Sequence, residues 1–334
     1  MKLRKPYLLF LGDVQTSIDA KTAFGLRDWC PDDVVGEWGL PSAKVTLGLP
    51  RLSPAEAATR GAGSLVIGVA SFGGILPESW FGELEAALGA GLDVVSGLHT
   101  RLTSVARLVE ASARSGARLI DVRHPTRSFP TASGRKRSGR RVLTVGTDCA
   151  LGKKYAALAL TKELKSLGCK ATFRATGQTG LMISGSGIVI DAVVADFIAG
   201  AAEELSPDNE PGHWDVIEGQ GSLFHPAYAG VTLGLLHGSQ PDALVLCHDP
   251  TRLEIDGYPG FPVPSLEEAM RRYVEAARLT NPNVRCAGVS VNSSSLDAAK
   301  WAAYAGNVSR DLGLPVADPM RGGVNSIALE LLRC

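Results

Sequence analysis

Short apolar runs closed by turn residues alternate along this chain with segments of helical period. Tyr7–Leu11 reads as a first strand, and Ser64–Ala70 (SLVIGVA) as a buried strand ending in the turn Ser71-Phe72-Gly73-Gly74. Ser79–Leu88 reads as a helix, and Leu92–Ser96 (LDVVS) as a strand closing on Gly97-Leu98-His99. Leu102, Val105, Ala106, Leu108, Val109 and Ala113 recur at helical spacing before a further strand, Arg118–Val122. Strand–helix–strand at this spacing predicts a parallel, Rossmann-like sheet. No G-x-G-x-x-G follows its first strand, so a dinucleotide site there is not supported.

The same alternation resumes at Arg141. Strands are predicted at Arg141–Val145, Ala171–Ala175, Asp215–Ile217, Ala243–Leu246 and Cys286–Val291. Helices are predicted at Lys154–Leu167, Ala192–Leu205, Ser265–Leu279 and Ser295–Leu312, with a last one ending near Leu332. Between the halves, PTRSFPTASGRKRSGRR mixes Pro, Ser and Gly with Arg127, Arg135, Lys136, Arg137, Arg140 and Arg141. It reads as a solvated linker or as a basic lip beside an anion site. The fold class is therefore α/β: a Rossmann-like N-terminal domain (1–126), a basic linker (127–140) and a P-loop NTPase-like parallel-sheet domain (141–334).

Length agrees, since 334 residues exceed the size at which a single core stops growing, about 250–300 residues. Thirty-four basic and 34 acidic residues cancel, which argues against a dedicated nucleic-acid binder. No apolar stretch is long enough to span a bilayer, and the basic start MKLRKPYLLFLGD reads as a strand rather than a signal peptide. Cys30, Cys149, Cys169, Cys247, Cys286 and Cys334 form no Cys-x-x-Cys, so neither a disulfide framework nor a zinc knuckle is expected. A cytoplasmic protein acting on small molecules, as a homo-oligomer (dimer or higher), is the resulting expectation.

The most specific chemistry lies in Gly146-Thr147-Asp148-Cys149-Ala150-Leu151-Gly152-Lys153-Lys154, followed by Tyr155 at the helix start. A glycine-rich turn between a buried strand and a helix points backbone N–H groups into one concavity, where the helix N-terminus and a lysine favour a diphosphate. Five residues separate Gly146 from Gly152, a spacing that resembles the loop of dethiobiotin synthetase. Lys154 stands where a nucleotide hydrolase needs Ser or Thr to hold Mg²⁺, and a protonated lysine repels a metal. A ligand whose diphosphate is only anchored would gain from that second cation. Coenzyme A fits, with its reacting thioester ~15 Å or more away on an extended arm.

Around the loop, Arg174, Gln178, Thr179 and Gly180 in RATGQTG follow the next strand, where open α/β sheets place ligand loops. Lys21 and Arg27 from the first domain join Arg174 as candidate cations for the carboxylates of an acceptor near the domain interface. Asp191, Asp196, Glu218 and His225 are the candidate bases. Asp196 is favoured as lying one turn into its helix with no capping role, and Glu218 comes second as the replacement for a metal-binding acid. Cys149 is also a possible nucleophile, although a filled loop leaves it little room.

On GTDCALGKK, RATGQTG, DAVVADFIAGAAE (191–203) and IEGQGSLFHPAY (217–228), the chain resembles the DgcN-like family of D-glutamate N-acetyltransferases over its whole length. The resemblance implies a Rossmann-like and a P-loop domain, and transfer of acetyl from acetyl-CoA, as co-substrate, to the amine of D-glutamate or a related acidic amino acid. No metal is required by that chemistry. The alternatives are an ATP- and Mg²⁺-dependent ligase like dethiobiotin synthetase, with Glu218 and Asp148 on the metal, or a nucleotide or coenzyme A sensor.

Overall fold

The computed structural model describes residues 3–69 and 72–333. The turn expected from Ser71, and the end of the strand expected to reach Ala70, lie outside the described residues. The chain divides into two compact units, Met1–Thr126 with Gln178–Val189, and Arg127–Gly177 with Ile190–Cys334.

The first unit runs β1 (Tyr7–Phe10), α1 (Lys21–Trp29), β2 (Val34–Trp38), α2 (Pro54–Thr59), β3 (Ser64–Ile67), α3 (Phe81–Gly89), β4 (Asp93–Ser96), α4 (Ala106–Ser115) and β5 (Leu119–Asp121). Its strands are all parallel, in the order β2-β1-β3-β4-β5. β1, β3 and β4 are buried along their whole length, which is why they read as unbroken apolar runs. The hydrophobic pattern misses α1, β2 and α2. For α2 the missed signal is Ser53-Pro54-Ala55-Glu56, a complete capping box with Pro at the first helical position. In such a sheet a dinucleotide would lie where the strand order reverses, beside β1. That place is filled here by Trp80, whose indole rests against Gly12, donates to Asp13 Oδ1 at 2.9 Å and meets Phe10 edge-on.

In the second unit β6 (Arg140–Gly146), α5 (Lys153–Ser166) and β7 (Ala171–Arg174) come first. The chain then forms α6 (Gln178–Ser184), which packs on α1 in the first unit. It continues with α7 (Ile198–Leu205), β8 (Trp214–Ile217), α8 (Ala229–Ser239), β9 (Ala243–His248), α9 (Leu266–Arg278), β10 (Arg285–Val291), α10 (Ala298–Leu312), β11 (Val316–Ala317) and α11 (Asn325–Leu332). This sheet is also wholly parallel, ordered β11-β10-β9-β6-β8-β7, with the strand of the phosphate loop inside it. The sequence reading passed over α8 because its glycines look like breakers. Gly238 is instead a contact point, since a side chain there would fall 2.1 Å from Ala199 O on α7. Close helix approach, not chain reversal, requires it.

The segment expected to be a solvated linker is built into the second unit. Arg137 is buried and donates from Nε to Ser206 O (2.7 Å) and from Nη2 to Gly238 O (2.7 Å). Burial, with Arg141 beside it, pushes its guanidinium down to about 10. Arg141 has no exposed surface and donates to Ser138 O, Ser206 O and Pro207 O. Arg127, Arg135 and Lys136 pair with Glu204, Asp208 and Asp242. These contacts gather at the N-terminal end of β6, ~20 Å along the strand from the loop at its other end. The basic lip beside the anion site therefore does not form.

Candidate active site

β6 is buried from Arg141 onward and delivers Gly146 to the C-terminal edge of its sheet. The chain then turns through a left-handed Gly152 (φ 94°) into α5. The loop is fixed by side chains from distant elements. Ser222 Oγ and Tyr273 Oη both donate to Gly146 O, at 2.9 and 2.8 Å. The Thr147 N–H donates to Cys247 O, and Thr147 Oγ1 lies 2.9 Å from His248 Nδ1. Thr144 Oγ1 donates to Lys153 O and accepts from the Gly219 N–H. Gly219 is obligatory there, because a Cβ would fall 1.7 Å from Thr144 O.

Asp148 is wholly buried under the loop. Its Oδ1 accepts from the Cys149 N–H, and its Oδ2 accepts from Arg252 Nη1 (3.0 Å) and the Asp256 N–H (2.9 Å). Lys153 is buried, and its Nζ donates to Asp148 O at 2.8 Å, so the ammonium spans the mouth of the loop. Lys154 stands 5.2 Å over the Tyr155 ring. Ala150 and Leu151 complete the turn, Ala150 with φ 54° and Leu151 buried against Ala156 and Cys247.

Glu218 leaves the end of β8 beside this loop. Its Oε2 accepts the N–H groups of Thr176 (3.0 Å) and Gly177 (3.1 Å). Burial pushes its carboxyl above the ordinary carboxylate range, against the Lys154 charge and the two N–H groups, while Asp191 adds to the rise. Asp191 and Asp196 are both exposed. Asp196 does not lie one turn into a helix: it sits in the 3-10 turn Ala195–Phe197, and α7 begins only at Ile198. The argument that favoured Asp196 thus falls away, and Glu218 is the acid whose surroundings are tuned.

His225 is buried, stacked on Tyr228 (4.4 Å between centroids) and edge-on to Tyr258 (4.9 Å). Its Nδ1 accepts the Ala227 N–H at 3.2 Å. One ring nitrogen lies within 4.8 Å of Cys149 Sγ and an Asp148 carboxylate oxygen, a triad of metal-ligand types. The set suits a metal poorly. Asp148 is already engaged by Arg252, and the neutral His225 tautomer that accepts at Nδ1 carries its proton on Nε2. Among the described residues Cys149 is in no disulfide. Burial pushes His248 down to about 4, so the histidine touching Thr147 is neutral.

The proposed acceptor residues have different local settings. Gln178, Thr179 and Gly180 are buried in α6, and Thr179 Oγ1 lies 2.9 Å from Thr22 Oγ1, the neighbour of Lys21 at the start of α1. Gln178 Oε1 is buried with no hydrogen-bond partner among the described residues, leaving an acceptor for an incoming N–H. Arg27 does not join them: it donates to Asp28 and to Leu47 O and lies over Phe24. Arg174 Nε donates to the buried Asp215 at 2.7 Å. Asp215 is a partner that sequence spacing could not foresee, whereas Asp28 is the chain neighbour of Arg27. Tyr273, which anchors Gly146 from α9, carried no sequence signal beyond a helical apolar stripe.

A parallel-sheet unit with a strand–phosphate loop–helix, joined to a second parallel α/β unit of order β2-β1-β3-β4-β5, defines a two-unit P-loop protein. The family models agree: a domain of unknown function described as a P-loop domain (DUF1611, C-terminal) matches residues 129–328, and its Rossmann-like N-terminal counterpart matches residues 39–125. The chain belongs to the DUF1611 family. A crystal structure of a DUF1611 family protein from Anabaena variabilis is similar to it with a TM-score of 0.87 and 32% identity, covering 98% of this chain and 100% of that one. Two curated relatives, each named D-glutamate N-acetyltransferase, are 48% identical. The one from a Pseudoalteromonas species matches over 99% of this chain and 100% of its own length, and the one from Tritonibacter scottomollicae over 97% and 98%. Among the described residues no helix is long and apolar enough to cross a membrane.

Proposed function

We propose that this protein is an N-acetyltransferase that moves acetyl from acetyl-CoA to the amine of D-glutamate or a closely related acidic amino acid. The names of two full-length relatives support the reaction class and acceptor. The observation that carries the donor is the pair Lys153–Lys154 at the helix start, with a second cation where a hydroxyl would bind Mg²⁺. Loop residues 146–155 hold the diphosphate of the donor as an anchored group rather than a reacting one.

The ammonium of the acceptor gives one proton to a carboxylate, the free amine attacks the thioester carbonyl, and the tetrahedral intermediate expels coenzyme A thiolate, which takes the second nitrogen proton to leave the amide and the thiol. Glu218 is the base in this reading, because it lies buried beside the loop and burial pushes its carboxyl upward. That assignment requires the pantetheine arm, ~15 Å when extended, to fold back over the loop. An extended arm would favour the exposed Asp196 instead. The discriminating experiment is an acetyl-transfer assay with acetyl-CoA, offering D-glutamate, L-glutamate and neutral amino acids in turn, and ATP-Mg²⁺ in a parallel ligase assay. Preference for D-glutamate with acetyl-CoA is expected. Turnover only with ATP-Mg²⁺ would sink the reading.

A further inference from the structure

His225 entered as a candidate base, yet its surroundings give it the opposite polarity. A backbone N–H can only donate, so the Ala227 N–H at 3.2 Å from Nδ1 requires a lone pair there. In the neutral ring the proton then sits on Nε2, and the outer end of the imidazole is a donor. A proton on Nδ1 would meet the Ala227 N–H donor to donor. The ring is held in this orientation by two aromatic neighbours, Tyr228 stacked on one face and Tyr258 edge-on, and only 2% of its surface is exposed. One of its ring nitrogens lies within 4.8 Å of Cys149 Sγ and an Asp148 carboxylate oxygen, so the imidazole borders the phosphate loop itself.

We infer that His225 is a neutral hydrogen-bond donor to a phosphate oxygen of the acetyl donor in loop 146–154, and takes no proton in the reaction. The inference rests on the acetyl-CoA reading above and deepens it. It adds a side-chain donor to the backbone N–H groups and the two lysines, from the loop between β8 and α8 that P-loop spacing does not mark. A neutral donor fits that place, since it binds an anion without adding charge to the Lys153–Lys154 pair.

The test uses His225→Phe, which keeps an aromatic ring in the stack, and His225→Gln, whose amide nitrogen can stand near the Nε2 position. Coenzyme A binding by calorimetry is paired with steady-state kinetics on acetyl-CoA and on acetyl-pantetheine, which lacks the diphosphate. His225→Phe is expected to weaken coenzyme A binding about tenfold or more, raising KM for acetyl-CoA while leaving kcat and the acetyl-pantetheine rate nearly unchanged. His225→Gln is expected to recover part of the loss. A fall in kcat with both donors would make His225 a proton acceptor and overturn the inference, as would unchanged binding in His225→Phe. Ring ¹⁵N NMR of the full chain reads the tautomer independently of folding in the variants: a proton on Nδ1 in the wild type also overturns it. Failure of the wild type to bind coenzyme A would count against the acetyl-CoA reading, with the tautomer still determined by NMR.

Discussion

Asp148 Oδ2 and Arg252 Nη1 meet at 3.0 Å beneath the phosphate loop, and the carboxylate has no exposed surface. The same guanidinium nitrogen donates to Cys149 O, so one arginine holds both the charge and the backbone of the turn. Breaking a buried pair by removing one partner leaves an uncompensated charge, typically at a cost of about 3–5 kcal/mol. Arg252→Ala should therefore lower unfolding free energy by roughly 3 kcal/mol in urea titrations. A loss below about 1 kcal/mol, the range of an exposed pair, would show that Asp148 finds other compensation.

Lys154, standing where a hydroxyl would hold Mg²⁺, sets the expectation of metal independence. Acetyl transfer should persist in excess EDTA, and Lys153→Ala should raise KM for acetyl-CoA about tenfold or more with a much smaller change in KM for the amine. Loss of activity in EDTA with recovery on adding Mg²⁺ would return the loop to nucleotide chemistry.

Glu218 sets the expected pH behaviour. Its carboxyl is raised above the ordinary value of 4.5 because burial disfavours the charge. The folded state thus favours the neutral form: its contribution to stability is complete below 4.5 and is lost as pH rises through the higher folded value. Thermal melts of Glu218→Gln should show a flatter decline over that interval than the wild type. As a base, Glu218 should give a rate that climbs with pH above the ordinary carboxylate range. Glu218→Gln should cut kcat by about 10²–10⁴, with Asp196→Asn close to normal. The reverse ranking would place the thioester at the end of an extended arm, away from the loop.

Arg174 tests the difference between a clamp and a strut. Because its Nε serves the buried Asp215, Arg174→Ala should destabilise the protein and change KM for every acceptor alike. A selective rise in KM for dicarboxylates, with stability intact, would restore it to the acceptor site.

Gly238→Ala places a methyl 2.1 Å from Ala199 O at the α7–α8 contact. Overpacking of this kind costs about 1–3 kcal/mol, and a drop in melting temperature should report it while KM for acetyl-CoA stays unchanged.

The amino-acid sequence by itself determined what depends on neighbours along the chain. Buried strands such as Ser64–Ile67 and Ala243–His248 are legible because parallel strands covered on both faces are continuously apolar. GTDCALGKK is legible because a phosphate loop is built from consecutive backbone groups and an adjacent lysine. Elements escaped when their stability lies in contacts rather than in period, as with α8, whose glycines make sense only against α7. The functional residues divide in the same way. Sequence spacing named Glu218 and His225 but placed Glu218 behind Asp196, since the burial that raises its carboxyl and the Ala227 N–H that meets His225 Nδ1 exist only in the fold. Arg174 looked available until folding set Asp215 beside it. Which charge is free is decided by partners in space, because a long side chain bonds the nearest carboxylate, and distance through the fold is not written in the order of the residues.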